Sequence, residues 1–408
     1  MRAWQYPEKT SLLVQKFAGG IEGTMSAEAH RRLDGTVGGG AVSLTAGRQE
    51  RPFPPLEGRA MDFGIFTEQI RRGSSQGQWF SELLELADAG EQWGLDVVWL
   101  AEMLVNPARS VLSAPLLVAS WIVARTKRLR VGTAVQLLPL NHPLRVAGEV
   151  ATLDHLSHGR FDFGIGRSGS PRSYDALGVP YEESQARFFE ALDIILTAWK
   201  GEPFSYTGQF YQFSDVTVTP RPYRQPHPLV RMAATTADTF PRVGRMGLPI
   251  FVGLRGMDIP ELSGCLKTYR RAWREAGHPG EGDACLRIPI YAAPTEQAAR
   301  EEPYETITYY MARQANLTVE PLGRAGIGPA GLRETQAERL STLSYDDILT
   351  RKVAFGTAPM LIDRLGQLRD ELGITGIAAE LNPGGLLPFD REMRSLEILT
   401  QQVMPAFK

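Results

Sequence analysis

Short apolar runs of strand length alternate with amphipathic stretches over most of this chain. In residues 79–93 the apolar positions recur at three- and four-residue steps, as they do on one face of a helix. The strand-length runs cover residues 62–66, 96–101, 131–138, 161–166, 229–234, 249–252, 286–291 and 374–381. Eight strands that alternate with helices predict an α/β fold. Over this length the pattern favours a closed (β/α)8 TIM barrel over an open doubly wound sheet.

Two connections between the predicted strands are longer than ordinary barrel loops. The connection after the fourth strand holds a predicted helix, 181–199, and a β-prone stretch, 210–218. The connection after the seventh strand covers residues 294–357, and its middle, 322–331, is rich in glycine. That composition fits a mobile lid over the barrel mouth as well as a disordered insertion. We therefore expect insertions after strands 4 and 7, with a lid within residues 294–357.

Residues 1–60 differ from the rest of the chain because they show no sustained hydrophobic periodicity. They contain clustered glycines, scattered arginines and three nearby prolines, which is typical of a flexible or disordered extension. Met61 opens directly onto the first predicted strand, so a translation start at Met61 would explain the same pattern. The sequence thus predicts two regions, an extension over residues 1–60 and a barrel over residues 61–408.

The composition excludes several classes of function. With a formal net charge of −2, the chain offers no general electrostatic attraction to nucleic acid or to an anionic membrane. No apolar run approaches the ~20 residues that cross a bilayer. The two cysteines, Cys265 and Cys285, have no metal-ligand spacing. We therefore expect a cytoplasmic protein that binds neither nucleic acid nor membrane and holds no metal.

Residues 131–178 contain the most informative motifs of the chain. Arg167 follows the fourth predicted strand among small residues, and such a loop at the carboxyl end of a strand suits an anionic ligand. On residue type alone, Arg167 could equally cap a helix or pair with a surface carboxylate. The segments NHPLR at 141–145, LDHLSHGRF at 153–161 and FGIGRSG at 163–169 occur in that order. Together they resemble the bacterial-luciferase-like family of flavin-dependent monooxygenases, and the resemblance extends from Met61 to the C-terminus.

The resemblance implies that reduced flavin mononucleotide (FMN) binds at the carboxyl ends of the strands. In this family an arginine after the fourth strand, here Arg167, holds the phosphate together with groups after the fifth strand, here Thr235, Thr236 and Thr239. A helix begins in that segment, and its free N–H groups also favour an anion. The simpler alternative is that Thr235 and Thr236 only cap this helix.

Three further positions are implied at the flavin ring. Ala134 and Val135 match the backbone that contacts the ring, often through a non-proline cis peptide, although both residues would equally suit a barrel core. Glu102 stands where luciferases and several relatives carry Glu-His-His, whose first histidine serves proton transfer. That histidine is replaced by Met103 here. A carboxylate partly buried at a strand end can have its pKa raised into a useful range, but an ion pair with a neighbouring arginine is an alternative role for Glu102.

His142, in the loop after the third strand, is a second catalytic candidate, although a lone loop histidine is more often structural. The implied function is a flavin-dependent monooxygenase that takes reduced FMN from a partner flavin reductase and uses O2 to oxygenate an organic substrate. A deazaflavin-dependent oxidoreductase of the same fold is an alternative. The missing histidine at Met103 also leaves a non-catalytic flavin-binding relative open.

The insertions and one helix bear on the substrate and on assembly. Aromatic residues in the insertions favour an apolar or aromatic substrate: Tyr174, Phe188, Tyr304 and Tyr309. Family members commonly dimerise through helices beside the second and third strands. The apolar run from Leu112 to Ile122, which includes Trp121, offers more hydrophobic surface than one helix stripe needs, so we expect a homodimer.

Overall fold

The computed structural model describes residues 60–68, 71–168, 170–319 and 330–408. Nearly all of the predicted N-terminal extension and most of the glycine-rich centre of the predicted lid lie outside these ranges. Eight parallel strands close into a barrel: β1 (Asp62–Thr67), β2 (Val97–Leu100), β3 (Arg130–Thr133), β4 (Phe161–Gly166), β5 (Val230–Ala233), β6 (Ile250–Gly253), β7 (Ala284–Ala292) and β8 (Gly376–Glu380). The predicted (β/α)8 barrel is therefore confirmed.

Helices cover the outside of the barrel and build most of its insertions. Within the described residues they are α1 (Gln76–Trp93), α2 (Pro115–Arg125), α3 (Pro143–Leu156), α4 (Pro171–Leu177), α5 (Ser184–Ala198), α6 (Thr239–Arg245), α7 (Ile259–Glu275), α8 (Glu296–Glu301), α9 (Tyr304–Val319), α10 (Ala330–Ser341), α11 (Tyr345–Arg351), α12 (Ala358–Leu372) and α13 (Phe389–Ile398). Their ends follow local chemistry. The Ser75 hydroxyl accepts a hydrogen bond from the Gln78 N–H at the start of α1, and Gly94 ends that helix at a φ of 90°.

Each barrel strand pairs in parallel with its neighbour along the chain, and β8 closes the barrel on β1, where Asp62 lies opposite Gly376. The carboxyl ends of all eight strands therefore lie at one rim, and the loops that follow them form the mouth of the barrel. The structure thus places the residues that follow each strand around one common opening.

The barrel interior is filled by side chains below this mouth. Trp99 and Phe251 meet edge to face with 4.8 Å between ring centroids. The Trp99 indole reaches so close to β3 that a Cβ on Gly132 would lie 2.3 Å from it. Only a glycine at residue 132 leaves room for the ring. A ligand of this barrel must consequently bind at the mouth rather than inside it.

The third strand differs from its prediction. β3 ends at Thr133, and pairing with β4 resumes only at Gln136 and Leu137. The peptide bond between Ala134 and Val135 is cis. The prediction of one continuous strand over residues 131–138 is therefore wrong, because Ala134 and Val135 are not paired in the sheet.

Pro289 is accommodated inside β7, although a proline has no N–H for the ladder. On one side of β7, pairing with β6 extends only to Arg287 opposite Gly253. A short strand, Ala354–Gly356, takes over on that side from Ile290 onward. Pro289 lies between these two partners, so no neighbouring strand requires a hydrogen bond from it there.

Both predicted insertions are present. The insertion after β4 holds α4, α5 and a two-stranded hairpin, Phe204–Thr207 with Gln212–Val216. The described part of the insertion after β7 is mainly helical, from α8 to α11, rather than irregular. Its helices have a hydrophobic core of their own: Ile307, Tyr310, Met311, Ala315, Ala337, Leu340, Ile348 and Val353.

No helix in the described ranges is long and apolar enough to cross a membrane.

Candidate active site

The ends of β3 and β4 approach each other closely at the mouth. The Thr133 hydroxyl donates to the Gly164 carbonyl at 2.7 Å, and a Cβ on Gly164 would lie 1.8 Å from the Thr133 carbonyl oxygen. A Cβ on Gly166 would likewise lie 2.3 Å from the Val135 side chain. The glycines of the FGIG motif thus allow this approach. Ala134 and Val135 remain partly exposed there, with the non-proline cis peptide that the family resemblance implied.

Arg167 follows β4 and is held by neutral groups. Its Nη1 donates to the Ser184 hydroxyl at 2.9 Å, and its guanidinium lies 5.7 Å from the centroid of the Tyr181 ring. The Tyr174 hydroxyl donates to the Arg167 carbonyl oxygen. Among the residues that the structure describes, no carboxylate pairs with Arg167. The alternative of a surface ion pair is therefore not seen, and the guanidinium is available to an anion.

Hydroxyl groups lie at the end of the neighbouring strand. Ile165 of β4 lies opposite Met232 of β5, so this register continued brings Arg167 level with Ala234, directly before the predicted threonines. The Thr236 and Thr239 hydroxyl oxygens are 2.9 Å apart. Helix α6 begins only at Thr239, after Asp238, and no side-chain cap bonds its first turn. Thr235 and Thr236 therefore do not act as its caps, and both are exposed.

Glu102 follows β2 and is surrounded by neutral hydrogen-bond donors. Its Oε2 accepts from the Gln136 amide and from the Leu137 N–H, each at 2.7 Å, and its Oε1 accepts from the Asn141 amide at 3.1 Å. Burial raises the pKa of Glu102 to about 7, although the Leu137 N–H and the Asn141 amide act to lower it. The suggested ion pair with an arginine is absent among the described residues.

His142 does not reach Glu102 in this arrangement. It is exposed at the start of α3, makes no capping bond, and meets Tyr211 edge to face at 5.4 Å. The preceding residue, Asn141, makes the contact instead. The family resemblance drew His142 into the candidate site from the Asn141-His142 pair. Nothing in the sequence singled out Gln136 or Ser184.

The rim around the ends of β1, β6, β7 and β8 holds a charged network that the sequence did not reveal. We call it the mouth cluster: Glu68, Arg109, Arg255, Arg287 and Glu380. Arg287 donates to both Glu380 oxygens, at 2.7 and 2.9 Å, and to Glu68 at 2.9 Å. Arg109 contacts the other oxygen of Glu68. Burial raises the pKa of Glu68, but Arg109, Arg287 and Arg255 outweigh it and lower that pKa to about 2.

The aromatic residues expected in the pocket wall have other roles. Tyr174 and Phe188 are fully buried, and Phe188 belongs to the core between barrel and helices. Tyr304 is half exposed and meets Tyr345 edge to face. Tyr309 lies under the Arg72 guanidinium at 4.2 Å. The aromatic argument for the substrate therefore fails for Tyr174 and Phe188, because burial keeps them from any ligand.

These residues fit a flavin. The guanidinium after β4 has no carboxylate partner among the described residues, and two hydroxyls follow the adjacent strand β5. Both kinds of group donate hydrogen bonds to phosphate oxygens, so they match the phosphate of such a cofactor. The small residues at the end of β3 leave the backbone accessible to a planar ring. The donor set suits any phosphate-bearing flavin and does not discriminate between flavin and deazaflavin.

Comparison with known proteins agrees with this geometry. The chain is 26% identical over 355 residues to the "Flavin-dependent trigonelline monooxygenase, oxygenase component" of Acinetobacter baylyi, covering 85% of this chain and 96% of that protein. The fold matches that of the oxygenating constituent of 3,6-diketocamphane monooxygenase of Pseudomonas putida in complex with FMN, with a TM-score of 0.71, 19% identity and coverage of 85% and 98% of the two chains.

A solved F420-dependent secondary alcohol dehydrogenase shares the fold too, with a TM-score of 0.67, 16% identity and coverage of 86% and 99%. Proteins of this fold thus use FMN or F420. The family model described as luciferase-like monooxygenase matches residues 61–376. The chain therefore belongs to the luciferase-like monooxygenase family.

Proposed function

We propose that this protein is a flavin-dependent monooxygenase that receives reduced FMN from a partner reductase and uses O2 to oxygenate an organic substrate. The observation that carries the proposal is Arg167, whose guanidinium has only neutral partners among the described residues at the end of β4, the strand adjacent to β5 and its following hydroxyls. Family membership supports the reaction class. The name of the Acinetobacter relative, an oxygenase component, supports a separate reductase.

Different residues of the mouth would bind different parts of the flavin. Arg167, Thr236 and Thr239 would hold the phosphate, and the backbone at Ala134 and Val135 would lie against the ring. When bound, reduced FMN would supply two electrons to O2, so that one oxygen atom enters the substrate and the other leaves as water. The helices of the insertion after β7 would exclude water from the mouth.

Glu102 would hold and move a proton at this site. With a pKa of about 7, both forms of its carboxyl are populated at neutral pH. The Gln136 amide and the Leu137 N–H fix Oε2, so Oε1, which has one partner, is the oxygen that can exchange a proton. Glu102 would thereby take the role that the histidine missing at Met103 has in luciferases. Its carboxyl also argues against a purely non-catalytic flavin carrier.

The test is a paired measurement of binding and turnover. Anaerobic titrations would compare reduced FMN with F420, and oxygen uptake with a supplied flavin reductase would then be screened over candidate substrates. We expect FMN to bind more tightly and oxygen uptake to depend on both protein and substrate. Tight F420 binding without FMN binding would instead favour the deazaflavin-dependent oxidoreductase. Tight FMN binding without substrate-dependent uptake would favour the non-catalytic relative.

The proposed assembly is a homodimer through α2. This helix buries Val118 and Ile122 against the barrel but leaves Leu117 72% exposed and Trp121 49% exposed. Two large apolar side chains on one open face are better explained by a partner surface than by solvent. Sedimentation velocity at micromolar concentration should show a dimer, and a monomer there would contradict this assignment.

A further inference from the structure

The β6 side of the mouth carries one cation more than its described carboxylates neutralise. In the mouth cluster, Glu68 and Glu380 are both held by Arg287, and Arg109 contacts Glu68 as well. Arg255 is the third guanidinium. Its Nη1 donates to the side-chain oxygen of Gln314 at 3.0 Å, which is a neutral partner. Within the described ranges of the chain, no carboxylate forms an ion pair with Arg255.

The same arginine is unmatched in a neighbouring cleft. A cleft of about 680 Å³ lies between the segment that follows β6 and helices α10 and α11, and Arg255 borders it. The other cations in its lining each have a carboxylate partner: Arg339 with Glu261 at 2.9 Å, Arg351 with Asp347 at 3.4 Å and Lys352 with Asp258 at 2.6 Å. Arg255 is therefore the cation of this lining that has no described carboxylate within ion-pairing distance, and in the mouth cluster it acts on Glu68 only through longer-range attraction.

A half-buried guanidinium with one neutral partner is in an incomplete environment. Removing a charge from water costs free energy that a neutral amide offsets only in part. The guanidinium fork matches a carboxylate through two parallel hydrogen bonds. The cleft has the size of a site for a small organic molecule. Its lining also offers apolar surface: Met257, Ile259, Leu340 and Leu343.

We propose that Arg255 binds a carboxylate group of the organic substrate, whose apolar remainder packs against the Met257, Ile259, Leu340 and Leu343 side chains. This inference rests on the proposed function, because it names the substrate class of the same barrel mouth. An apolar or aromatic carboxylic acid replaces the purely apolar substrate that the sequence suggested. The carboxylate would neutralise the remaining charge of the mouth cluster when the substrate binds.

The experiment compares acids with amides of the same shape. Benzoate and benzamide, and hexanoate and hexanamide, would be titrated into the full chain, with binding followed by ligand-observed NMR. We expect each acid to bind roughly tenfold more tightly than its amide, because only the acid pairs with the guanidinium. In Arg255→Gln this preference should fall to about twofold or less, with amide affinity unchanged. Arg255→Lys should retain an intermediate preference, because it keeps the charge but not the fork.

Arg339→Gln is the matched control. Arg339 borders the same cleft, but it is exposed and paired with Glu261, so its loss should leave the acid preference intact. Equal affinities for acid and amide in the unmodified protein would overturn the assignment, and so would an undiminished preference in Arg255→Gln. Tighter binding of benzenesulfonate than of benzoate would overturn the carboxylate in favour of a sulfonate.

FMN affinity, measured on the same samples, separates this inference from the proposed function. Normal FMN binding without acid preference would remove only the role of Arg255. Failure of the unmodified protein to bind any flavin would remove the proposed function, whatever the acids do. Unchanged FMN affinity of Arg255→Gln would also show that the variant is folded.

Discussion

Glu68 and Glu102 occupy equivalent places at the ends of two adjacent strands, yet their chemistry is opposite. Glu68 is surrounded by arginines and has a pKa of about 2, so it is ionised at any physiological pH. Glu102 receives hydrogen bonds only from neutral groups and has a pKa of about 7. Burial acts to raise the pKa of both carboxyls, so burial alone cannot explain the difference. The partners decide which carboxylate is structural and which can exchange a proton.

The same contrast divides the whole mouth. At the ends of β1, β7 and β8, Glu68, Glu380 and Arg287 form ion pairs that Arg109 joins from the loop after β2. These four groups neutralise one another. On the β2 to β5 side, Glu102 and Arg167 have only neutral partners and are open to a ligand. The ion-paired groups thus stabilise the fold, whereas the charged groups with only neutral partners can bind a ligand or exchange a proton. Arg255, in the mouth cluster, is the exception, because its described hydrogen-bond partner is the neutral Gln314.

The largest effect, on the free energy of unfolding, is expected from a substitution that removes an arginine from the ion-paired mouth cluster. Arg287→Met would leave Glu68 and Glu380 buried with one arginine fewer, and such a loss typically costs ~3–5 kcal/mol of unfolding free energy. Urea denaturation would measure it. Arg125→Gln is the control, since Arg125 and Asp88 form an ion pair with both side chains more than 40% exposed. That change should cost less than ~1 kcal/mol. Equal losses in both variants would mean that the mouth cluster adds nothing through burial.

The next largest effect, on FMN affinity, is expected from a substitution of Arg167, which has only neutral partners among the described residues. Arg167→Ala should weaken FMN affinity by ~2–4 kcal/mol, because a desolvated phosphate loses its charged partner. Stability should hardly change, since Arg167 has no carboxylate to leave unpaired among the described residues. Isothermal titration and thermal unfolding would measure the two quantities. Arg145→Ala, an exposed arginine on α3, should affect neither. Unchanged FMN affinity in a folded Arg167→Ala protein would mean that the phosphate is held elsewhere.

A third test concerns the proton on Glu102. Its pKa is raised from 4.5 to about 7 by folding, so between these values the folded state binds more protons than the unfolded state. The stability that this group contributes is therefore complete below pH 4.5 and is lost as pH rises through 7. A glutamine does not titrate, so Glu102→Gln should lack this loss of stability. As pH rises from 4.5 to above 7, the unfolding free energy of the variant should therefore increase relative to that of the unmodified protein. Parallel stability profiles would contradict the shifted pKa.

The smallest effect is a shift in the pKa of Glu102 when one of its neutral hydrogen-bond partners is removed. Asn141→Ala removes a donor to the ionised form of Glu102, so the pKa of Glu102 should rise further, by ~0.5–1 unit. Infrared titration of the protonated carboxyl band would follow this shift, with Glu102→Gln identifying the band. His142→Ala should leave the midpoint in place, because His142 makes no contact with Glu102. A shift in His142→Ala and none in Asn141→Ala would reverse the assignment of the two neighbours.

More of the fold than of the candidate site could be predicted from the sequence. Apolar periodicity is a local property, so alternating runs revealed the strands and helices, and the FGIGR motif marked Arg167 because glycines and arginine adjoin in the chain. The states of Glu68 and Glu102 depend on distant residues. Arg287 lies 219 positions from Glu68, and Leu137 lies 35 positions from Glu102. No local pattern reveals such partners. The sequence suggested that burial could raise the pKa of Glu102, but it could not predict the neutral partners of Glu102 or the low pKa of Glu68.

The irregular parts of the chain were also harder to predict. The break in the third strand leaves the apolar pattern of residues 131–138 unchanged, because Ala134 and Val135 are apolar whether or not they pair. The glycine-rich residues 322–331 predict a loop, and the helical stretches on either side of them have no comparably strong pattern. Those stretches form α9 and α10, whose apolar residues pack mainly against each other rather than against the barrel.

The separate core of α9 to α11 has a consequence for how such enzymes diversify. A unit that buries its own apolar residues can accumulate substitutions, or be replaced as a whole, without reopening the core that holds the barrel together. Its described polar contacts with the rest of the chain include Tyr310 to Glu380, Gln314 to Arg255 and Arg339 to Glu261, so a new unit would also need to restore a set of bonds to the rim and to α7. The barrel and this helical unit can then evolve at different rates.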